Sequence, residues 1–599
     1  MSKFTTRLGS FCQGIGAFRM IAAVLSVGAA ALSLSTEAAP DLIIHNAAIT
    51  QFDGSTHSAI AVTGNRIASV GESDDLLLTR DDETSVIDAR GQRLIPGMND
   101  SHLHVVRGGR FYNLETRWEG IDSLEEGLAL IKAQAERTPA GQWVRVVGGW
   151  TPFQFKERRM PTVEELNNVA PNTPVFVLFL YSGGMLNQAG MDALGINKDS
   201  VAPYGSRFER DANGHPTGVL VADPNPAILY GTIARLPQLT DSQQLNSSRQ
   251  YYHKLLTLGL SSVVDAGGGG HQFPTNYTAT ATLAAQGELP LRVSAYLFPQ
   301  KANEELAQFQ RWMTEYKPNQ NLDLSRESGY VIEGGGELLV WSASDYENFT
   351  SGRPDLKANA EMQLEAVVRL HVRRGWPFRI HATYNESITR MLAVLEKINE
   401  DLPLNQVRWA FDHAETISDE NLERVQALGG GFAIQGRMAF AGEYFVERYG
   451  AEQARRSPPV RKMLEMGIPV AMGTDGTRVS SFNPWDTYYW AVTGRTVGGL
   501  QLYGSENTLD RLTALRLFTA GSAWMSGEED DKGKLQPGML ADLAILDRDI
   551  LHVEASELRK TRAALTIVGG DVAYSDGSLT DPTAAPPPAV PAWSPVNLP

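Results

Sequence analysis

Cysteine is all but missing from this chain of 599 residues: Cys12 is the only one. A disulfide scaffold, a cysteine-rich zinc module and a catalytic thiol in the body of the chain are thereby excluded. Long apolar runs are lacking too, since the stretch Met20 to Leu34 covers 15 residues, short of the roughly 20 that a membrane-crossing helix needs. Positive charge is in deficit. The 53 Lys and Arg residues face 69 Asp and Glu, a formal net charge of −16, so phosphate backbones and anionic membranes are repelled and nucleic acid is not an expected partner. The chain has no internal repeat. Asp265-Ala266-Gly267-Gly268-Gly269-Gly270 lacks the following Lys and Ser or Thr of a phosphate cradle, so its glycines point to close backbone approach instead.

What is present starts with a leader. Lys3, Arg7 and Arg19 precede the apolar run, and Thr36-Glu37-Ala38 offers a small-residue cleavage site, the order of a signal peptide over residues 1–38. The expectation is an exported protein, periplasmic or secreted, with no stable membrane insertion after cleavage. Three basic residues and one acidic residue would leave with the leader, taking the charge to −18 and removing the cysteine.

The body of the chain is organised around Leu94-Ile95-Pro96-Gly97-Met98-Asn99-Asp100-Ser101-His102-Leu103-His104. Alternate residues of an extended segment share a face, so His102 and His104 can grip one metal ion. His381, His413 and Asp475 each close a further apolar run. The first interval is 32 residues and the second 62, which match one and two βα units of a roughly 250-residue eightfold barrel. Placing His102 and His104 on strand 1, with the others on strands 5, 6 and 8, aims every ligand into the C-terminal mouth. The 277 residues from His104 to His381 exceed four units, so an insertion must follow strand 1.

The ordered set His-x-His, His, His, Asp, with the opener Ile95 to His104 and the closer Gly533 to Leu543, resembles the amidohydrolase superfamily. Within it the chain is similar to the amidohydrolase 3 branch that includes N-substituted formamide deformylases. The resemblance covers roughly Asp41 to Thr580. It implies an α/β fold, a (β/α)8 TIM-like barrel with a small β-sandwich built from both chain ends and an α+β insertion after strand 1. Three positions depart from the pattern. No lysine stands between Lys317 and Lys357, where relatives carry one that can be carboxylated, so Glu333 or Glu337 is left to supply an oxygen ligand. Ala382-Thr383-Tyr384 follows His381 in place of Gly-Asp, and Tyr181-Ser182-Gly183 stands where relatives place a histidine.

The rest of the chain fits this plan. Short β-branched runs separated by Asp53-Gly54, Gly64-Asn65 and Gly91, and again after residue 535, read as strands of the sandwich, residues 39–93 and 535–580. Residues 94–534 make the barrel, with the insertion at about 121–220. The Pro- and Ala-rich tail 581–599 has no apolar periodicity and reads as extended or disordered.

The function expected is metal-dependent hydrolysis of an amide-type C–N bond in a small-molecule substrate. One or two divalent ions, zinc first, would be held by His102, His104, His381, His413 and Asp475, with Glu333 as the acidic candidate. Asp475 is the expected proton shuttle, and His381 or His413 would steady an oxyanion if one ion is bound. Trp341, Tyr384, Arg437 and Trp485 follow predicted strands and are the expected pocket walls. A lyase or isomerase with the same metal cup and an inactive exported binding protein are the alternatives, and a homo-oligomer is compatible with the sequence.

Overall fold

Eight short apolar runs form the centre of the molecule. In the computed structural model, which describes residues 39–598 apart from 224–225, 319–328, 347–348, 351 and 354, they are the strands β1 Met98–Leu103, β2 Leu260–Asp265, β3 Arg292–Leu297, β4 Tyr330–Gly335, β5 Phe378–Ala382, β6 Trp409–His413, β7 Gly431–Gln435 and β8 Val470–Gly473. The expected leader lies outside the described residues. The strands pair in sequence order, all parallel. Apart from the half-buried Arg292, every residue in them is buried, the signature of strands covered on both faces.

Closure of the barrel is made at the end where the expected ligands lie. Asp475 N donates to His102 O at 2.8 Å and His104 N donates to Gly476 O at 3.1 Å, so the ends of β8 and β1 are stitched by the residues of the site itself. The seam between β4 and β5 is held by few rungs, Gly335 opposite Phe378 and His381 N to Glu337 O at 2.9 Å. Glycine is required there: a Cβ on Gly336, whose φ is +125°, would stand 2.3 Å from Arg379 O, and only a residue without a side chain admits both the conformation and the approach.

Between β1 and β2 the chain makes an excursion. A helix, Val105–Phe111, leads to a six-stranded sheet in the spatial order 206–210, 216–222, 183–186, 175–179, 144–147, 115–116. The helix Asp241–Leu256, opened by Thr240 in a capping box with Gln243, returns the chain to β2.

Two further sheets lie at the chain ends. One has the order Arg66–Gly71, Ala59–Thr63, Leu42–His45, Ser85–Asp88. The other runs Asp571–Ser575, Ala563–Val568, Leu543–Leu546, Arg93–Pro96, Ala48–Thr50, Thr56–His57, so strands from the two ends are neighbours within it. Ile44, Ile60 and Val62 of the first sheet share one apolar core with Ile49, Leu94, Leu543, Ile545, Leu565 and Ile567 of the second.

Of the two expectations for the tail, the disordered one is corrected. Residues 581–598 are ordered, because buried amides reach for carbonyls that a proline-rich segment leaves free. Asn113 Nδ2 donates to Val590 O at 2.9 Å, Gln134 Nε2 to Trp593 O at 2.8 Å and Asn246 Nδ2 to Pro588 O at 3.1 Å, while Asn246 Oδ1 accepts from Val590 N at 3.0 Å.

Candidate metal centre

Imidazoles and carboxylates converge where five strands end. His102 is the penultimate residue of β1 and His104 follows the strand, His381 is the penultimate residue of β5, His413 ends β6 and Asp475 follows β8. All five are at least nine-tenths buried. His413 and Asp475 have φ of +77° and +58°, uncommon for non-glycine residues and a mark of functional positions.

Glu337 is the sixth member. It lies in the loop after β4, pinned by its own backbone, N to Ala266 O at 3.2 Å and O from His381 N at 2.9 Å. His102, His104 and Glu337 form one ligand group, Glu337, His381 and His413 a second, and His102, His413 and Asp475 a third. Of the two acidic candidates, Glu337 is the one that stands among the imidazoles, whereas Glu333, the first choice of the sequence reading, belongs to none of these groups. Glu333 stands four residues earlier, about 13 Å of extended chain, inside β4 at the register shift opposite Ala295 and Tyr296, where its charge bears on Tyr296.

The spacing of lone pairs argues for a cation. Glu337 Oε2 lies 2.8 Å from His381 Nδ1 and 3.2 Å from His413 Nε2, and those two nitrogens are 3.0 Å apart. On the other side, His104 Nε2 is 3.1 Å from Asp475 Oδ1 and 3.6 Å from Glu337 Oε1, and His102 Nε2 is 3.7 Å from both carboxylates. His102 Nε2 and His413 Nδ1 make no hydrogen bond. Buried polar atoms without partners are costly, and neutral imidazoles with two carboxylates are the donor set that suits a divalent ion.

Outer contacts fix which nitrogen faces inward. His104 donates Nδ1–H to Gly267 O at 2.8 Å, leaving Nε2 as the lone pair. Asp412 Oδ1 is 3.1 Å from His102 Nδ1 and is itself paired with Arg379, whose Nη2 lies 2.8 Å from the same nitrogen. A proton on Nδ1 directed at Asp412 leaves His102 Nε2 as a donor to metal. Burial alone would raise the Asp412 carboxyl, but Arg379 and His102 hold it down, to about 2. Burial, with Arg437 nearby, pushes the His413 imidazole down to about 3. Burial also opposes the charge on Glu337 and Asp475, yet the histidines around them keep both well below the usual carboxylate range.

The expected pocket walls fare unevenly. Arg437 is buried and lines a recess with Leu180, Tyr181, Phe349, Tyr444 and Val479, but its guanidinium is engaged by Glu415, Nε to Oε1 at 2.8 Å, and by Thr383 Oγ1 at 3.1 Å. Tyr384 is buried under Arg353 and Phe349. Trp341 is half-buried beside the glycine loop, its indole donating to Pro299 O at 3.0 Å. Trp485 is fully buried and donates to Leu258 O at 3.0 Å; it is core, because its helix Pro484–Thr493 packs its first turn inward, and the expectation of a pocket wall is corrected. The sequence reading missed Arg107 and Arg478, each three residues beyond a ligand. That spacing, one helical turn or one tight loop past His104 and Asp475, was the available signal.

The sequence profile of the amidohydrolase family matches residues 85–574. An N-substituted formamide deformylase of Arthrobacter pascens is 27% identical over 555 residues, 89% of this chain and 98% of the relative. The fold is similar to that of an uncharacterized metal-dependent hydrolase of Pyrococcus horikoshii OT3, with a TM-score of 0.60 at 21% identity over 86% of this chain and 99% of the other. It is also similar to atrazine chlorohydrolase TrzN from Arthrobacter aurescens TC1 complexed with zinc, with a TM-score of 0.50 at 16% identity over 89% and 94%.

Proposed function

The chain belongs to the amidohydrolase family, and from that premise we propose that it hydrolyses an amide-type C–N bond in a small or medium-sized organic molecule. One observation carries the reading: Glu337 is a member of both the His102/His104 group and the His381/His413 group, the position of an oxygen ligand shared by two ions. His102, His104, Glu337, His381, His413 and Asp475 would hold one or two divalent ions, zinc first on the chemistry of the donors. When bound, such an ion acidifies water to a pKa of about 7 and draws electrons from a carbonyl oxygen.

Asp475 moves the proton. Its Oδ1 is 3.1 Å from His104 Nε2 and its Oδ2 is 3.9 Å from His413 Nδ1, so the carboxylate spans both halves of the cluster. Held ionised by the surrounding imidazoles, it accepts a proton from the attacking water and returns it to the leaving nitrogen, which could not otherwise depart except as an amide anion. His381 and His413, drawn against Glu337, act as ligands. The near-complete burial of the cluster strengthens each of these electrostatic contacts.

The test is metal analysis and turnover of the full chain on formamides, aryl amides and N-acyl amino acids. Asp475→Asn should lower kcat by a factor on the order of 10² to 10⁴ while most of the metal stays bound, and His102→Ala should lose metal and activity together. Consumption of one water per product separates hydrolysis from a lyase or isomerase. Active protein free of metal, or near-wild-type activity in Asp475→Asn, would overturn the reading.

A further inference from the structure

Among the described residues, two buried cations at the mouth of the barrel form no close ion pair with a carboxylate. Arg107, in the helix after β1, is 2% exposed, and Arg478, in the loop after β8, is 4% exposed. Arg107 Nε and Nη2 and Arg478 Nη1 make no hydrogen bond. The other buried arginines nearby are matched: Arg379 with Asp412, Arg437 with Glu415, and Arg117 with Glu115 at 2.6 Å. Three carboxylates lie within electrostatic reach of Arg107 and Arg478, and each is engaged elsewhere, Glu115 by Arg117, Asp475 by His104, and Asp265 by Val106 N, Gly267 N and the Tyr277 hydroxyl.

Neutral groups surround the pair instead. Arg107 lies beside the Tyr181 hydroxyl, Arg478 sits 4.7 Å above the Tyr230 ring, and the two hydroxyls bond each other at 3.1 Å. His271, 2.9 Å from Arg110, is kept uncharged by burial and by Arg110, Arg107 and Arg478. Nor is the pair remote from the metal ligands. A Cβ on Gly268 would stand 3.3 Å from His104 Nδ1 and 3.6 Å from Arg107 Nη1, so imidazole and guanidinium flank one glycine. Tyr181 also borders the recess where Leu180, Phe349, Ala441, Tyr444 and Val479 supply apolar wall and Arg437 a buried cation.

An unpaired buried charge is costly to keep, and such charges are kept where a ligand completes them. The planar guanidinium is the group that fits a carboxylate by two parallel hydrogen bonds. We propose that the substrate bears a carboxylate, received by Arg107 and Arg478 beside the metal ligands, with its apolar part in the recess beyond Tyr181. The proposal rests on the hydrolase reading only for the nature of the bond that is cleaved.

The test compares N-formylphenylalanine with N-formylphenylalaninamide on the metal-loaded full chain, and measures binding of 3-phenylpropionate by calorimetry. The acid should be favoured in kcat/KM by about 10- to 100-fold, mainly through KM. Arg107→Met and Arg478→Met should each cut that preference and weaken 3-phenylpropionate binding by about tenfold or more. Arg107→Lys and Arg478→Lys should restore part of both, and they carry the comparison if a Met variant does not fold. Binding of 3-phenylpropionate that depends on both arginines, without turnover of any amide, would sink the amide reading and leave the carboxylate site standing. Equal kcat/KM for acid and amide in wild type, or carboxylate binding indifferent to both arginines, would overturn the proposal and leave the hydrolase reading intact.

Discussion

A ligand carboxylate must stand at the mouth and not merely on the right strand, and Glu337 and Glu333 separate those two conditions. Both are buried, but only Glu337 approaches the imidazoles. Glu337→Gln should therefore release metal and lower activity by 10² or more, whereas Glu333→Gln should keep its metal; elemental analysis of the two purified variants decides, and equal losses would contradict the assignment. The pair Asp412–Arg379 allows a similar argument. Removing one partner of a buried ion pair costs about 3–5 kcal/mol, so Asp412→Asn should lower stability in denaturant titration and loosen metal through the freed His102 ring. The imidazoles and Asp475 were legible because each closes an apolar run. Glu337 was left as one of two candidates, since three consecutive glycines erase the alternation that would fix its register. Arg107 and Arg478 carried only the weak signal of standing three residues past a histidine and an aspartate of the cluster, and the lack of a close carboxylate partner is a property of the folded neighbourhood.

Elements show where sequence pattern ends and tertiary contact takes over. The barrel strands are continuous buried runs and could be placed by counting residues between ligands. The insertion was expected at about 121–220, yet its sheet takes in Glu115–Thr116 and reaches Ala222. A two-residue edge strand such as Glu115–Thr116 carries no pattern of its own. The tail is the clearest case. Prolines remove donors but keep carbonyls, and nothing in residues 581–599 announces that Asn113, Gln134 and Asn246 will bind them. Those hydrogen bonds, at about 1 kcal/mol each, together hold the segment with roughly 3–4 kcal/mol. Deleting residues 587–599 should lower the unfolding free energy from denaturant titration by about that amount while the metal content of the purified protein stays the same. A truncated chain as stable as the full one would show that the segment rests on the barrel without supporting it.

At the scale of the whole molecule, the end sheets decide whether the chain is one folding unit. Leu543–Leu546 lies between Arg93–Pro96 and Ala563–Val568, and ion pairs reinforce the junction: Arg93 Nε and Nη2 each reach an Asp549 oxygen at 2.9 Å, and Arg292 Nε reaches Asp542 at 2.8 Å. Cutting the chain after Lys534 removes Leu543, Ile545, Leu565 and Ile567 from the shared core. At about 1.5–3 kcal/mol for each buried aliphatic side chain, the loss is roughly 6–12 kcal/mol, comparable to the whole stability of a typical protein, about 5–15 kcal/mol. It also leaves Arg93–Pro96 with a bare edge and exposed apolar neighbours, a template for pairing with other chains. Chain 39–534 should accumulate as aggregate, with no monomer peak on size-exclusion chromatography and no metal in the soluble fraction. The strand Arg93–Pro96 runs through Gly97 into β1, so damage to the sheet passes directly to the segment that carries His102 and His104. A monomeric, fully metallated truncation would mean that the barrel closes without the sheet, and that the stitches from Asp475 to His102 and from His104 to Gly476 suffice to hold the mouth.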